Sequence, residues 1–139
     1  MITFHYQTDF ELKDQSKYTN WIINSLQSYD ATCGPIAYIF CSDEDLLKIN
    51  KKHLDHNFYT DIITFQYQGR PEVSGDIYIS VDRVRDNAET YKQPFEDELK
   101  RVMIHGILHL LGFEDATAKD KEDMRKRENE LMEMFHVKH

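Results

Sequence analysis

Short β-branched and aromatic runs alternate along the chain with longer stretches in which apolar residues recur at helical spacing. Ile2–Tyr6 reads as a short strand, and Lys17–Ser28 places Trp21, Ile22, Ser25 and Leu26 on one helical face, with Trp21 in the core. Pro35–Cys41 reads as a buried strand. Ser42 or Asp43 caps the following helix, Glu44–His53, whose apolar stripe includes Leu46, Leu47 and Ile49. Asp61–Tyr67 and Asp76–Val81 read as two more strands, and Gly69, Pro71 and Gly75 between them are turn chemistry. A polar helix is expected from Val81 to Tyr91. Pro94 suits the first turn of a very apolar helix ending at Leu111, where Gly112 stops it. Thr117 or Asp120 starts the last helix, which carries Met124, Leu131 and Phe135 among many charges. The sum is a small α/β (α+β) sandwich: a roughly four-stranded mixed sheet with four or five helices, and a metal site at the end of a buried helix.

The chain has 139 residues, a length that suits one domain able to bury a core without staples, so residues 1–139 are read as a single domain. Neither Cys33 nor Cys41 sits in a metal or redox spacing, and both are read as reduced thiols. The first residues lack a basic segment followed by an apolar run, so no signal peptide is expected. No stretch approaches the roughly 20 apolar residues that span a bilayer. A soluble, cytoplasmic protein without a membrane partner is the expectation.

Charge narrows the substrate question. Seventeen basic against 25 acidic residues give a net charge of −8, which opposes non-specific attachment to nucleic acid. An RNA substrate would need a locally basic groove or a larger carrier such as a ribosome.

The chemistry is concentrated between His105 and Asp115. Histidines at i and i+4 share a helix face with Cβ atoms ~5–6 Å apart, close enough for two imidazoles to hold one metal. Gly112 can adopt a left-handed conformation and turn the chain back, so that Asp115 approaches the same ion from outside the helix. His105, His109 and Asp115 are therefore the candidate zinc ligands, one ion per chain, with Glu114 the rival for the third place. Three protein ligands leave a fourth position for water, as catalytic sites do. Gly106 stands where H-E-x-x-H metalloproteases carry their glutamate, which argues against peptide hydrolysis.

On these residues the chain resembles the YbeY family of bacterial endoribonucleases. That family carries H-G-x-L-H-L-x-G-Y-D-H, matched here from His105 with Phe113, Glu114 and Asp115 as the three changes. Thr60–Phe65 (TDIITF) is similar to the family's T-D-V-L-S-F strand, and Gly75–Ser80 (GDIYIS) to its G-D-I-x-I-S strand. Glu98-Leu99 is also similar. The resemblance implies a zinc-dependent, single-strand-specific endoribonuclease that processes the 3′ end of small-subunit ribosomal RNA and serves ribosome quality control. It implies ribosomal RNA or the ribosome as partner, with a ribosomal protein as a further one. An arginine of the family aligns with Leu54, so another cation must meet the phosphate: Lys51, Lys52 and His53 are the candidates, with His56 nearby and Arg70 weaker.

Two rival functions stay open: a non-catalytic, zinc-containing ribosome-assembly factor, and a metal-dependent hydrolase of another substrate. No general base is assigned. Glu98 either orients a ligand or lies on a solvated face, and turn capping is the default for Asp61 and Asp76.

Overall fold

Alternation within the strands decides how the sheet is covered. The computed structural model describes residues 1–56 and 58–135. Its strands are β1 (Ile2–Tyr6), β2 (Thr32–Cys41), β3 (Ile62–Gln68) and β4 (Glu72–Ser80). The helices are α1 (Gln15–Gln27), α2 (Asp43–Leu54), α3 (Val81–Thr90), α4 (Phe95–Leu110) and α5 (Ala118–Met134). The strands form one mixed sheet in the order β1-β2-β4-β3, parallel except for the antiparallel β3–β4 pair. Ile36, Tyr38 and Phe40 of β2 and Val73, Ile77 and Ile79 of β4 point into the main core, which α1, α4 and α5 close. The opposite face is covered by α2, where Leu46 and Ile49 meet Cys41, Ile63, Phe65 and Tyr78.

Caps set the helix limits. The Ser42 hydroxyl accepts the Asp45 N–H at the start of α2, and the Ser80 hydroxyl accepts the Arg83 N–H at the start of α3. Thr117 and Asp120 form a reciprocal capping box on α5. Trp21 is buried, and its indole N–H donates to the Leu131 carbonyl at 2.7 Å, tying α1 to α5. Among the described residues no helix is long and apolar enough to cross a membrane, and Cys33 and Cys41 are both free.

The strand limits depart from the sequence reading at β4, which begins at Glu72, so that Gly75 lies inside the strand rather than in the turn. Its role is steric. A Cβ on Gly75 would stand 2.5 Å from the Phe65 carbonyl oxygen and 2.8 Å from Leu110 Cδ2, so only glycine lets β3, β4 and the end of α4 meet. Val81, shared by the expected strand and the expected helix, belongs to the helix and opens α3, because Ser80 caps there. Substituting Gly75→Ala should destabilise the fold by about 1–3 kcal/mol, since backbone must move to admit the methyl. A lowered urea midpoint checks this, and an unchanged midpoint would mean that β3 and β4 can spread freely.

Candidate metal centre

The end of α4 builds the site. Its buried face, including Leu99, Met103, Ile107 and Leu110, fixes the helix against the sheet, and the Tyr38 hydroxyl donates to the Met103 carbonyl at 3.0 Å. A Cβ on Gly106 would lie 3.0 Å from side-chain carbons of both Ile62 and Ile77, so this turn of α4 presses closely on the sheet. His105 and His109 then lie side by side at the edge of the core.

Gly112 ends the helix with φ +102°, a conformation that L side chains rarely adopt. The Gly112 N–H bonds the His109 carbonyl at 2.9 Å and the Phe113 N–H bonds the Leu108 carbonyl at 3.0 Å, the paired bonds of a Schellman turn. This turn does two things. It brings Asp115 back over the helix, and it aims the Phe113 carbonyl at His109, whose Nδ1 it meets at 3.0 Å.

His105 Nε2 and His109 Nε2 are 2.9 Å apart, and Asp115 Oδ2 lies 3.2 Å from the first and 3.6 Å from the second. Among the described residues His105, His109 and Asp115 are the group that could hold a metal ion. Their spacing passes a simple test of fit. Tetrahedral zinc with bonds of about 2.0–2.1 Å needs ligand atoms roughly 3.3 Å apart, and the three edges bracket that value. Glu114 is exposed and has no place in the cluster.

The histidines are oriented by their other nitrogens. His105 Nδ1 donates to Glu128 Oε2 at 2.7 Å, and His109 Nδ1 donates to the Phe113 carbonyl. With both Nδ1 atoms carrying protons, both Nε2 lone pairs face the same point. Two lone pairs at 2.9 Å repel unless a cation lies between them. A cation shared by the two nitrogens, proton or metal, would relieve that repulsion. Burial opposes the charge on His105, but the Glu128 hydrogen bond and charge outweigh it and raise its pKa, with help from Asp115 and Asp61. Burial and the neighbouring His105 lower that of His109.

Glu128 went unread in the sequence. Burial would raise its pKa, but hydrogen bonds from His105 and Arg101 bring it below the usual carboxylate range. Arg101 Nη1 meets its Oε1 at 2.9 Å, with Arg125 at 3.8 Å. The signal was its position: Met124, Glu128 and Leu131 recur at helical spacing, and all three are buried. In metal-stripped protein, NMR should find His105 titrating above the ordinary histidine value and His109 below it. Glu128→Gln should lower the His105 value and cost about 10–100-fold in metal affinity. An unmoved His105 titration would show that Glu128 does not set its charge. Because the proton competes with the metal, uptake weakens as pH falls through the raised value.

The three candidate ligands open on a cavity of about 360 Å³ lined also by Asn50, Leu54, His56, Phe58 and Thr64. Their side chains are 20%, 25% and 42% exposed in chain order, so the cluster is open to solvent. A second cavity of about 330 Å³ shares His105, Asp115 and Asp61 with the first and is rimmed by Arg101, Lys121 and Arg125. These cations were not foreseen. Lys51, Lys52 and His53 are exposed on the last turn of α2, outside the lining of either cavity, with His53 set edge-on to Phe65. Arg70 lies over the Phe113 ring.

Asp61 and Glu98 both line the second cavity. Asp61 lines both cavities, and burial raises its pKa against the pull of His105. Glu98 is buried rather than solvated, with its pKa raised by burial and by Asp61. Asp76 accepts the Tyr67 hydroxyl at 2.6 Å.

A family model described as Endoribonuclease YbeY matches residues 2–136. A Flavobacterium psychrophilum protein named Endoribonuclease YbeY is 49% identical over 138 residues, covering 99% of each chain. One of the same name from Bacteroides thetaiotaomicron is 49% identical over 116 residues, 84% of this chain and 85% of its own. The solution structure of a Thermotoga maritima protein superposes with TM-score 0.65 over 97% of this chain and 89% of that one, at 24% identity. That likeness shows the fold.

Proposed function

The chain belongs to the Endoribonuclease YbeY family, and from that premise we propose that it is a zinc-dependent endoribonuclease that cuts single-stranded RNA. In this reading residues 1–139 act as one metallo-hydrolase domain in the cytoplasm, holding one zinc through His105, His109 and Asp115. Its work is ribosomal RNA processing at the 3′ end of the small-subunit RNA, and ribosome quality control. The observation that carries the reading is the convergence of His105 Nε2, His109 Nε2 and Asp115 Oδ2 on one point, with each Nδ1 tied back. The exposed fourth side supports a catalytic ion over a structural one, which four protein ligands would close.

When bound, zinc supplies Lewis-acid polarisation of a phosphoryl oxygen and activation of water. The chain's own residues do the rest. Glu128 and the Phe113 carbonyl hold protons on the Nδ1 atoms, keeping both Nε2 atoms as donors to the metal. Arg101, Lys121 and Arg125 put positive charge beside the site, where the phosphate gains charge in the transition state. Asp61, whose pKa burial raises against the pull of His105, lines the cleft where a proton could be exchanged. The basic turn at Lys51, Lys52 and His53 meets the strand outside the cleft, and the net charge of −8 favours RNA delivered on a ribosome, with a ribosomal protein as further partner.

Metal-replete protein should cut a labelled single strand and spare the same strand in a duplex, and a chelator should stop the cutting. Equal cleavage of both forms, or cleavage indifferent to the chelator, would overturn the reading. Reversing charge with Lys51→Glu and Lys52→Glu should weaken RNA binding and flatten its salt dependence while leaving metal content unchanged. Unchanged affinity and slope would make that turn a solvated surface only.

A further inference from the structure

The mouth of the cleft carries apolar surface that the metal chemistry does not use. Leu54, at the end of α2, is 41% exposed, and Phe58, between α2 and β3, is 56% exposed. The Phe58 and His56 rings lie nearly parallel, 22° apart with centroids 5.1 Å from one another, and both line the cavity that holds His105, His109 and Asp115. The neighbouring Tyr59 is engaged elsewhere, its hydroxyl on Glu44 at 2.7 Å and its ring under Arg83.

His56 and Phe58 are both tied to α2. Asn50, 1% exposed, donates its side-chain N–H to the Phe58 carbonyl at 2.8 Å, and its own carbonyl accepts the His56 N–H at 3.1 Å. Asp55 takes the left-handed conformation that turns the chain there. A buried asparagine therefore braces two exposed rings from behind, at a place where their exposure leaves burial energy unused.

We infer that Phe58 and His56 form a stacking platform for one unpaired nucleobase of the RNA strand, next to the phosphate at the metal site. The inference rests on the endoribonuclease reading above and adds how the strand is held. Chemistry favours a base over other occupants. A flat ring pair offers a π-face to any base, and only a base that is not paired in a duplex can reach it. Stacking does not depend on charge, so it supplies affinity that a chain of net charge −8 cannot draw from phosphates alone.

The test uses the full chain, metal-stripped so that binding is read without cleavage. The probe is a set of short single-stranded oligoribonucleotides, each with 2-aminopurine at one position. Quenching is expected at one position, and Phe58→Ala should abolish it and weaken binding about tenfold or more, as loss of one stacked base does. The loss should be alike at low and high salt. Phe58→Trp should restore affinity, and zinc uptake should be the same in all variants. An abasic site at the quenched position should weaken binding to the parent protein and add nothing to Phe58→Ala. If Phe58→Ala and His56→Ala bind every oligonucleotide as the parent does, the patch serves another partner, such as a protein, and the platform is overturned. Cleavage is scored separately on metal-replete protein. Binding and quenching without cleavage would sink the nuclease reading alone, and cleavage with Phe58 dispensable would sink the platform alone.

Discussion

Replacing His109 with alanine should strip the chain of its metal and lower RNA cleavage by about a thousandfold or more. The size follows from what the ion contributes. Lewis-acid stabilisation of the transition state amounts to several kcal/mol, and each ~1.4 kcal/mol is a tenfold change in rate. Removing one of three ligands leaves a pair that cannot hold zinc against water. His105→Ala should do the same, and it also leaves Glu128 facing Arg101 without its histidine. His109 is a quarter exposed, so its alanine variant should fold, and an unchanged circular dichroism spectrum separates loss of metal from loss of structure. Full metal content in a variant lacking both histidines would mean that the pair does not ligate.

The second large effect distinguishes two adjacent carboxylates. Asp115→Ala should cost more than about a hundredfold in zinc affinity, beyond the effect of removing an outer hydrogen-bond partner, whereas Glu114→Ala should leave affinity and cleavage nearly unchanged. Asp115 Oδ2 stands 3.2 Å from His105 Nε2, and Glu114 is outside the cluster. Asp115→His should keep zinc, because imidazole is an equally good ligand. It also removes a negative charge from the site, so a zinc-activated water should lose its proton at lower pH. The pH–rate profile should shift downward accordingly. Metal loss confined to Glu114→Ala would reverse the assignment.

The readable parts of this molecule were those fixed by local physics. The i, i+4 pair on α4, the glycine that ends it and the acid three residues later all follow from helix geometry and one left-handed turn. Strand positions were legible from β-branched and aromatic runs, and Thr117 and Ser42 from capping chemistry. The hidden parts depend on what meets across the fold. Gly75 reads as a turn residue until α4 is laid over it and Leu110 fills the space where a side chain would stand. Glu128 is more than 20 residues from His105 in sequence, and a lone acid in a highly charged helix looks solvated unless its place in the Met124–Leu131 stripe is weighed. Arg101, Lys121 and Arg125 gather around the second cavity because α5 folds against α4, and in the sequence Arg125 is only one member of a basic run, Arg125-Lys126-Arg127, set among acids.

The most direct test of the account is a zinc titration of the metal-stripped protein, with bound metal and cleavage of a single-stranded RNA followed together. The rate should rise in proportion to bound zinc and level at about one ion per chain. Full-rate cleavage by the stripped protein, or a rate that stays flat while the site fills, would contradict it.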